Sequence, residues 1–331
     1  MGSLIDTIRA DAWWEHKLSP VLGSGYMTTF FLGASLLDVW PALLFTLAAL
    51  SAAAAYVSVI NDLTDIDDDR LAGKRNRFAG RSAPRRAAAL VACLAVGAAA
   101  AVAWRHDPLA LGLYACGWVS FSLYSIPPVR LKGRGFLGAL ADGAGAHLFP
   151  QLLVVVVVFH RTGAALDAAW VATVGGWALA HGLRGALWHQ LGDAEADTRA
   201  GVRTFGSVHP RRAQWLARLA FAAELAAFGV LLWRSGNVLA LSLVPTYIAL
   251  ETVRSQLWGV TVVIAGHAPR ARIAMNDFYI VFYPLSFLVA ATLRHPLDAL
   301  VLLVQVALFP RHLRAAIGDA ARATRSLVAE R

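Results

Sequence analysis

The sequence predicts an all-α fold: a polytopic bundle of nine or ten transmembrane helices, with an internal pseudo-repeat and a central cavity open toward the cytoplasmic side. Three observations carry that expectation. The 331-residue chain is 58% hydrophobic and only 15% charged, with a mean hydropathy of +0.56, which lies outside the range of soluble domains. Apolar windows long enough to cross a bilayer core, about 17 to 25 residues as helix, recur along its length. An acidic motif also occurs twice, at an offset of 128 residues, each time where such a window ends.

The windows fall at 19–38, 40–62, 86–105, 108–126, 136–159, 168–190, 213–233, 237–258 and 275–293, with a shorter tenth at 297–310. Connections near 39, 106, 163, 235 and 295 are short, whereas 63–85, 127–135, 191–212 and 259–274 are longer and polar. Counted through Arg86, the long connections carry sixteen Lys and Arg residues against four in the short ones. That asymmetry places the long, Asp-rich loops and the N-terminus in the cytoplasm of a multi-pass cell-membrane protein. Three parts are expected: an interfacial N-terminal segment (1–18) anchored by Trp13 and Trp14, a single transmembrane domain (19–310), and a basic cytoplasmic or interfacial tail (311–331). The net charge of +9 is accounted for by this topology. With no basic domain standing clear of the lipid, no nucleic-acid partner is expected. Cys93 and Cys116 both lie in apolar runs, which excludes a disulfide framework or a cysteine metal site.

The uncharged run Pro41–Ile60 ends in NDLTDIDDDRLAGKRNR, with five aspartates between 62 and 69. At 100° per residue, Asn61, Asp62, Asp65, Asp68 and Asp69 share one helical face and Asp67 points away. A carboxylate face at a helix C-terminus is disfavoured by the helix dipole unless a counter-ion is present. The second cluster, HQLGDAEADTRAGVRTF from His189, aligns Asp193 with Asp65, Asp197 with Asp69 and Gly201 with Gly73. Each copy closes an even-numbered window, so both can face one cavity from opposite walls, as an internal duplication would place them. Carboxylates at i and i+4 are hard oxygen donors that suit Mg²⁺, which keeps waters and binds substrate phosphate oxygens as well. Asn61, Asp62, Asp65, Asp69, Asp193 and Asp197 are the candidate metal ligands. A diphosphate at the rim of a membrane cavity suggests a prenyl diphosphate with its tail inside the bundle. There, charge on the leaving diphosphate would be stabilised by metal and cations, and a dry aromatic interior would protect the allylic cation.

N-D-x-x-D-x-x-x-D at Asn61, Asp62, Asp65 and Asp69, the D-x-x-x-D at Asp193 and Asp197 followed by GVRT from Gly201, and YSIPPVRLKGRG from Tyr124 resemble the UbiA superfamily of intramembrane prenyltransferases. The likeness covers about 13–293. It implies that the paired motifs hold Mg²⁺ and the prenyl diphosphate, and that Tyr124, Arg130 and Lys132 stand near the site. The expected catalytic set is Asp65, Asp193, Tyr124 and Lys132, with Asn61, Lys74, Arg75, Arg130, Lys132 and Arg203 on the diphosphate. His189, one helical turn before Asp193, and Asp277, Tyr279 and Tyr283, on a helix entering from the same side, are candidates for the acceptor or the cavity lining. Arg184 points away from Asp193 and reads as structural.

The leading expectation is Mg²⁺-dependent transfer of a prenyl group to an acceptor, aromatic or lipid, with an aromatic one the commonest choice in the family. The alternative is a terpene cyclase on the same scaffold, in which the chain's own double bonds capture the cation. A transporter is disfavoured because the carboxylates cluster at one surface and leave no acidic path across.

Overall fold

The computed structural model describes residues 4–266, 268 and 270–329. The ends of the two terminal segments, 1–3 and 330–331, lie outside the described residues. The described residues are mostly helical, with a parallel two-stranded ribbon, Thr261–Val263 with Ala271–Ile273. A helix satisfies every interior backbone group within one segment, as lipid demands. In chain order, α1 (Ser19–Phe31), α2 (Leu36–Thr64), α3 (Ile66–Ala72), α4 (Ala83–Ala103), α5 (Pro108–Ser125), α6 (Phe136–Thr162) and α7 (Ala168–Gly192) make the first part. They are followed by α8 (Ala194–Ala200), α9 (Pro210–Ser235), α10 (Val238–Trp258), α11 (Phe278–Arg294), α12 (Ala299–Leu308) and α13 (Pro310–Ala329). Five of them, α2, α4, α6, α9 and α10, are long and apolar enough to cross a membrane alone. Pro296–Leu308 and Pro310–Arg325 meet the same measure only if taken as one span, and these are bent by 87°.

The structure corrects one window boundary. The expected helix over 19–38 stops at Phe31, because Gly33 turns the chain with a φ of 70°. Ser35 then caps α2, and Asp298 accepts from the backbone N–H of Leu36 at 3.0 Å and Leu37 at 3.2 Å. At its other end α1 follows directly on the π-turn Trp14–Leu18 and the helical turn Ala10–Trp13.

After four of the five short connections the chain re-enters a helix through a side-chain cap. Ser35, Asp107, Asp167 and Asn237 accept from the N–H of Leu37, Ala110, Trp170 and Ala240. These caps satisfy orphan donors and set the start of α2, α5, α7 and α10. The core is densest in α6, where Leu153 to Phe159 are all buried in sequence, as in a helix surrounded by others. By contrast only Gly97 and Ala100 of α4 are buried, and Val91, Val96 and Val102 face outward as a lipid-facing helix would present them. Helices α6 and α7 touch backbone to backbone at Gly143 and Gly182, where a Cβ on Gly182 would lie 2.4 Å from the Gly143 carbonyl oxygen.

Candidate active site

The two acidic segments adopt the same backbone. Helix α2 ends at Thr64 and α7 at Gly192; Asp65 and Asp193 follow as hinge residues, and a seven-residue helix begins after each. Asp65 N–H donates to the Asn61 carbonyl at 3.0 Å and Asp193 N–H to the His189 carbonyl at 2.9 Å. Both short helices end on a glycine in the left-handed region, Gly73 at φ 69° and Gly201 at φ 72°, which lets the chain turn back without a Cβ penalty. The correspondence extends past the motif. Asn76 Nδ2 donates to Asp69 Oδ2 at 2.9 Å, and Thr204 Oγ1 donates to Asp197 Oδ2 at 2.9 Å. Asn76 and Thr204 are also 128 positions apart, so this pair of supports could have been found from the repeat alone.

These segments face each other across a cavity of about 340 Å³. One wall carries Asn61, Asp65, Asp68 and Asp69, the other His189, Asp193 and Asp197. Lys74, Arg75, Tyr124 and Lys132 complete the predicted residues that line it. Lys132 is bonded to Asp65 and lies 3.5 Å from Asp68. Arg130 bridges Asp65 and Asp68 at 3.0 and 2.6 Å. Lys74, from the first segment, donates to Asp193 of the second at 2.9 Å and so ties the walls together. Burial pushes the Asp197 carboxyl above its usual range, while the Thr204 hydroxyl and the charge of Lys74 pull it down.

The structure places several of the expected residues away from the cavity. Asp62 is fully buried and bonded to Arg9 rather than facing the cavity. Its neighbour Asn61 takes the cavity side and is bonded by the Ser125 hydroxyl. Arg203 is exposed beside the second segment and does not line the cavity. Asp277, Tyr279 and Tyr283 do not line it either. Asp277 is claimed by Arg254 and Arg272. Tyr279 packs edge to face on Trp177 at 5.4 Å, and the Tyr283 hydroxyl lies 3.1 Å from that of Ser24. Helix α11 turns this face into the aromatic core because the Arg254 cluster, with Glu251 and Asp319, already fixes its first turn. Arg184 is buried against Glu224, in line with a structural role. Sequence reasoning missed Arg9 and Asp142 as lining residues, since neither stands in a motif.

Among the described residues no three acids or histidines converge closely enough to hold a metal ion unaided. The donor set is nevertheless hard oxygen throughout, on two walls of a polar cavity with space between them. That arrangement fits Mg²⁺, which completes its octahedron with waters and phosphate oxygens rather than an all-protein cage.

Comparison with solved structures finds the same fold. A UbiA homologue from Archaeoglobus fulgidus bound to GPP and Mg²⁺ matches with a TM-score of 0.55 and 19% identity, over 92% of this chain and 99% of that one. The homologue bound to DMAPP and Mg²⁺ gives 0.57 and 18%, over 87% and 98%, and the form bound to Cd²⁺ gives 0.56 and 17%, over 88% and 100%. A search of curated proteins by sequence finds no match. The profile of the UbiA prenyltransferase family matches residues 19–261, about three quarters of the sequence. The span includes both acidic segments and the Tyr124–Gly135 loop, together with all five helices able to cross a membrane alone. The protein is a multi-pass membrane protein that belongs to the UbiA prenyltransferase family.

Proposed function

We propose that the chain is a Mg²⁺-dependent prenyltransferase that ionises a prenyl diphosphate and passes the prenyl group to an aromatic acceptor. The observation that carries this reading is that Asp65 and Asp193, on separate segments, line one cavity together with Lys74 and Lys132. The GPP and DMAPP bound with Mg²⁺ by the Archaeoglobus homologue are ligands of the class such a site would take. Asp65 and Asp69 on one wall and Asp193 and Asp197 on the other would hold the metal, with Asn61 beside them. Bound there, Mg²⁺ would neutralise charge on the diphosphate as the carbon–oxygen bond breaks. Lys74, Lys132, Arg75 and Arg130 would take the remaining diphosphate oxygens once released from their present carboxylate partners. The Tyr124 hydroxyl and ring face the same space and would border the allylic carbon. Arg9 holds Asp62 and so fixes the end of α2 rather than the metal. His189, on the second wall, would sit beside the acceptor.

Several features of the architecture belong to the same proposal. The two segments derive from a duplicated half. The chain makes nine crossings, with α12 and α13 bent along the interface rather than forming a tenth, and the cavity opens to the cytoplasm. Residues 19–310 act as one catalytic domain between the N-terminal segment 1–18 and the tail 311–331. The test is purified protein in lipid nanodiscs given prenyl diphosphates of several lengths with Mg²⁺, with and without a panel of aromatic acids. Prenylated aromatic product supports the proposal. A cyclised hydrocarbon formed without any acceptor would instead support the terpene-cyclase reading.

A further inference from the structure

Beneath the acids and cations of the cavity mouth lies a second polar cluster that they do not explain. Lys17 Nζ is 2.8 Å from His147 Nε2. The His147 and His181 rings meet edge to face at 4.6 Å, and His181 Nδ1 lies 3.5 Å from Glu224 Oε1. Glu224 accepts from Arg184 Nε and Nη2 at 2.6 and 2.9 Å. Tyr279 completes the set, 5.0 Å from His181 ring to ring, and its buried hydroxyl has no hydrogen-bond partner among the described residues. His181 is twelve residues before Asp193, about 18 Å along α7. Ionisable groups this far into an apolar bundle are costly and mark functional sites by default.

The backbone marks the same place. Among the described residues there are three π-turns, Trp14–Leu18, Ala144–Leu148 and Phe278–Phe282. Lys17, His147 and Tyr279 sit one in each. π-Turns are rare and are found frequently at functional sites. Three of them on three separate helical segments aim at one cluster.

The cluster adjoins the cavity through Asp142, which lines it and stands five residues before His147 on α6. The charge of Asp142 acts on Lys17, opposing the burial that lowers the Lys17 ammonium below its ordinary range. Lys17 retains accessible surface despite its buried surroundings.

We infer that Lys17 accepts the proton which the acceptor loses during prenyl transfer, with His147 and Asp142 as its positioning residues; this rests on the prenyl-transfer reading. The step balances. The prenyl carbon–oxygen bond breaks and its electron pair leaves on the diphosphate. A carbon or oxygen of the acceptor bonds to that prenyl carbon and sheds its proton, and the Lys17 amine lone pair takes it. The resulting ammonium donates to His147 and returns its proton past Asp142 to the cavity mouth. The charged and titratable groups around Lys17 are Glu15 and His16 on its own segment, Asp142 and His147 on α6, and His181 and Arg184 on α7. Beyond these stand Glu224 on α9, Tyr279 on α11, and Arg311 and His312 on α13. Only the neutral amine can act, so transfer rises with pH as Lys17 loses its proton.

The experiment measures diphosphate release and prenylated acceptor in the same reactions across pH, for the wild type, Lys17→Met, Lys17→Arg and His147→Gln in nanodiscs. In both Lys17 variants the expected result is continued Mg²⁺-dependent diphosphate release, with prenyl alcohol formed by water capture. Acceptor prenylation should fall at least about tenfold, and its acid limb should disappear. His147→Gln keeps a partner for Lys17 and should move the limb without abolishing transfer. Lys17→Arg, which preserves the charge, carries the test if Lys17→Met does not fold. Wild-type transfer with an unchanged limb in Lys17→Arg overturns the inference. Absence of diphosphate release in the wild type with every acceptor overturns the prenyl-transfer reading beneath it, a result that no Lys17 variant could produce.

Discussion

Asp65 and Asp193 occupy matching positions after α2 and α7, yet their surroundings differ. Asp65 is held by Lys132 and Arg130, with its side chain 19% exposed, whereas Asp193 is bonded by Lys74 and is 55% exposed. The contrast extends to Asp68, which has Arg130, and to Asp62, which has Arg9, whereas Asp69 and Asp197 alike have neutral donors, Asn76 and Thr204. One backbone motif thus serves as a wall pre-set by fixed cations and as a wall left open. Buried charge pairs lock geometry, and exposed pairs contribute little and exchange partners readily. On the proposed reading, the first wall is the template and the second is the side that adjusts to a ligand.

The severest way to break this comparison is to remove one acid from each wall. Asp65→Asn and Asp193→Asn should each lower kcat by about 10²- to 10³-fold, as loss of charge stabilisation at a reacting centre does. Full diphosphate release from both variants would remove the shared site. Chelation of divalent metal should have a comparable effect, reversed by added Mg²⁺. Next in size is Lys132→Met, which strips the template wall of its buried cation and should cost about 10- to 100-fold in kcat/KM. The matching change on the open wall, Lys74→Gln, breaks an exposed pair and should raise KM only about threefold; steady-state kinetics of the two separate the walls. Thr204→Val sharpens the contrast through pH. Asp197 is already raised by burial, and the Thr204 bond favours its charged form. Removing that bond raises it further, so Mg²⁺ affinity, measured by calorimetry, should fall at a higher pH during acidification than in the wild type. The smallest effect expected is on stability. Gly73→Ala and Gly201→Ala, both at left-handed φ, should each cost about 1 kcal/mol in thermal unfolding.

Much of this was legible because it rests on local rules. Apolar runs matched helices to within a few residues, as at 108–126 against Pro108–Ser125 and 237–258 against Val238–Trp258. The i, i+4 aspartates and their copy 128 residues on led to both walls of the cavity. The rest depended on partners distant in sequence. Nothing local to Asp62 announces Arg9, 53 positions away. Asp277, Tyr279 and Tyr283 share a helical face that looked suited to a cavity, but Arg254 and the Trp177 core claimed it. The break after Phe31 likewise needed Asp298, which reaches α2 from more than 250 residues along the chain.

From the sequence alone came the helical bundle, the acidic repeat and the side of the membrane on which its loops should lie. Hydrophobic length, helical period and the distribution of Lys and Arg are properties of short stretches, and lipid leaves their backbone few alternatives. The tertiary fold decided which of the eligible side chains share a space, which are tied up by ion pairs, and that a cluster around Lys17 stands below the acids. Those outcomes follow from how helices far apart in the chain cross. A close approach such as Gly143 on Gly182 fixes the position of every neighbouring group, and no single segment encodes it.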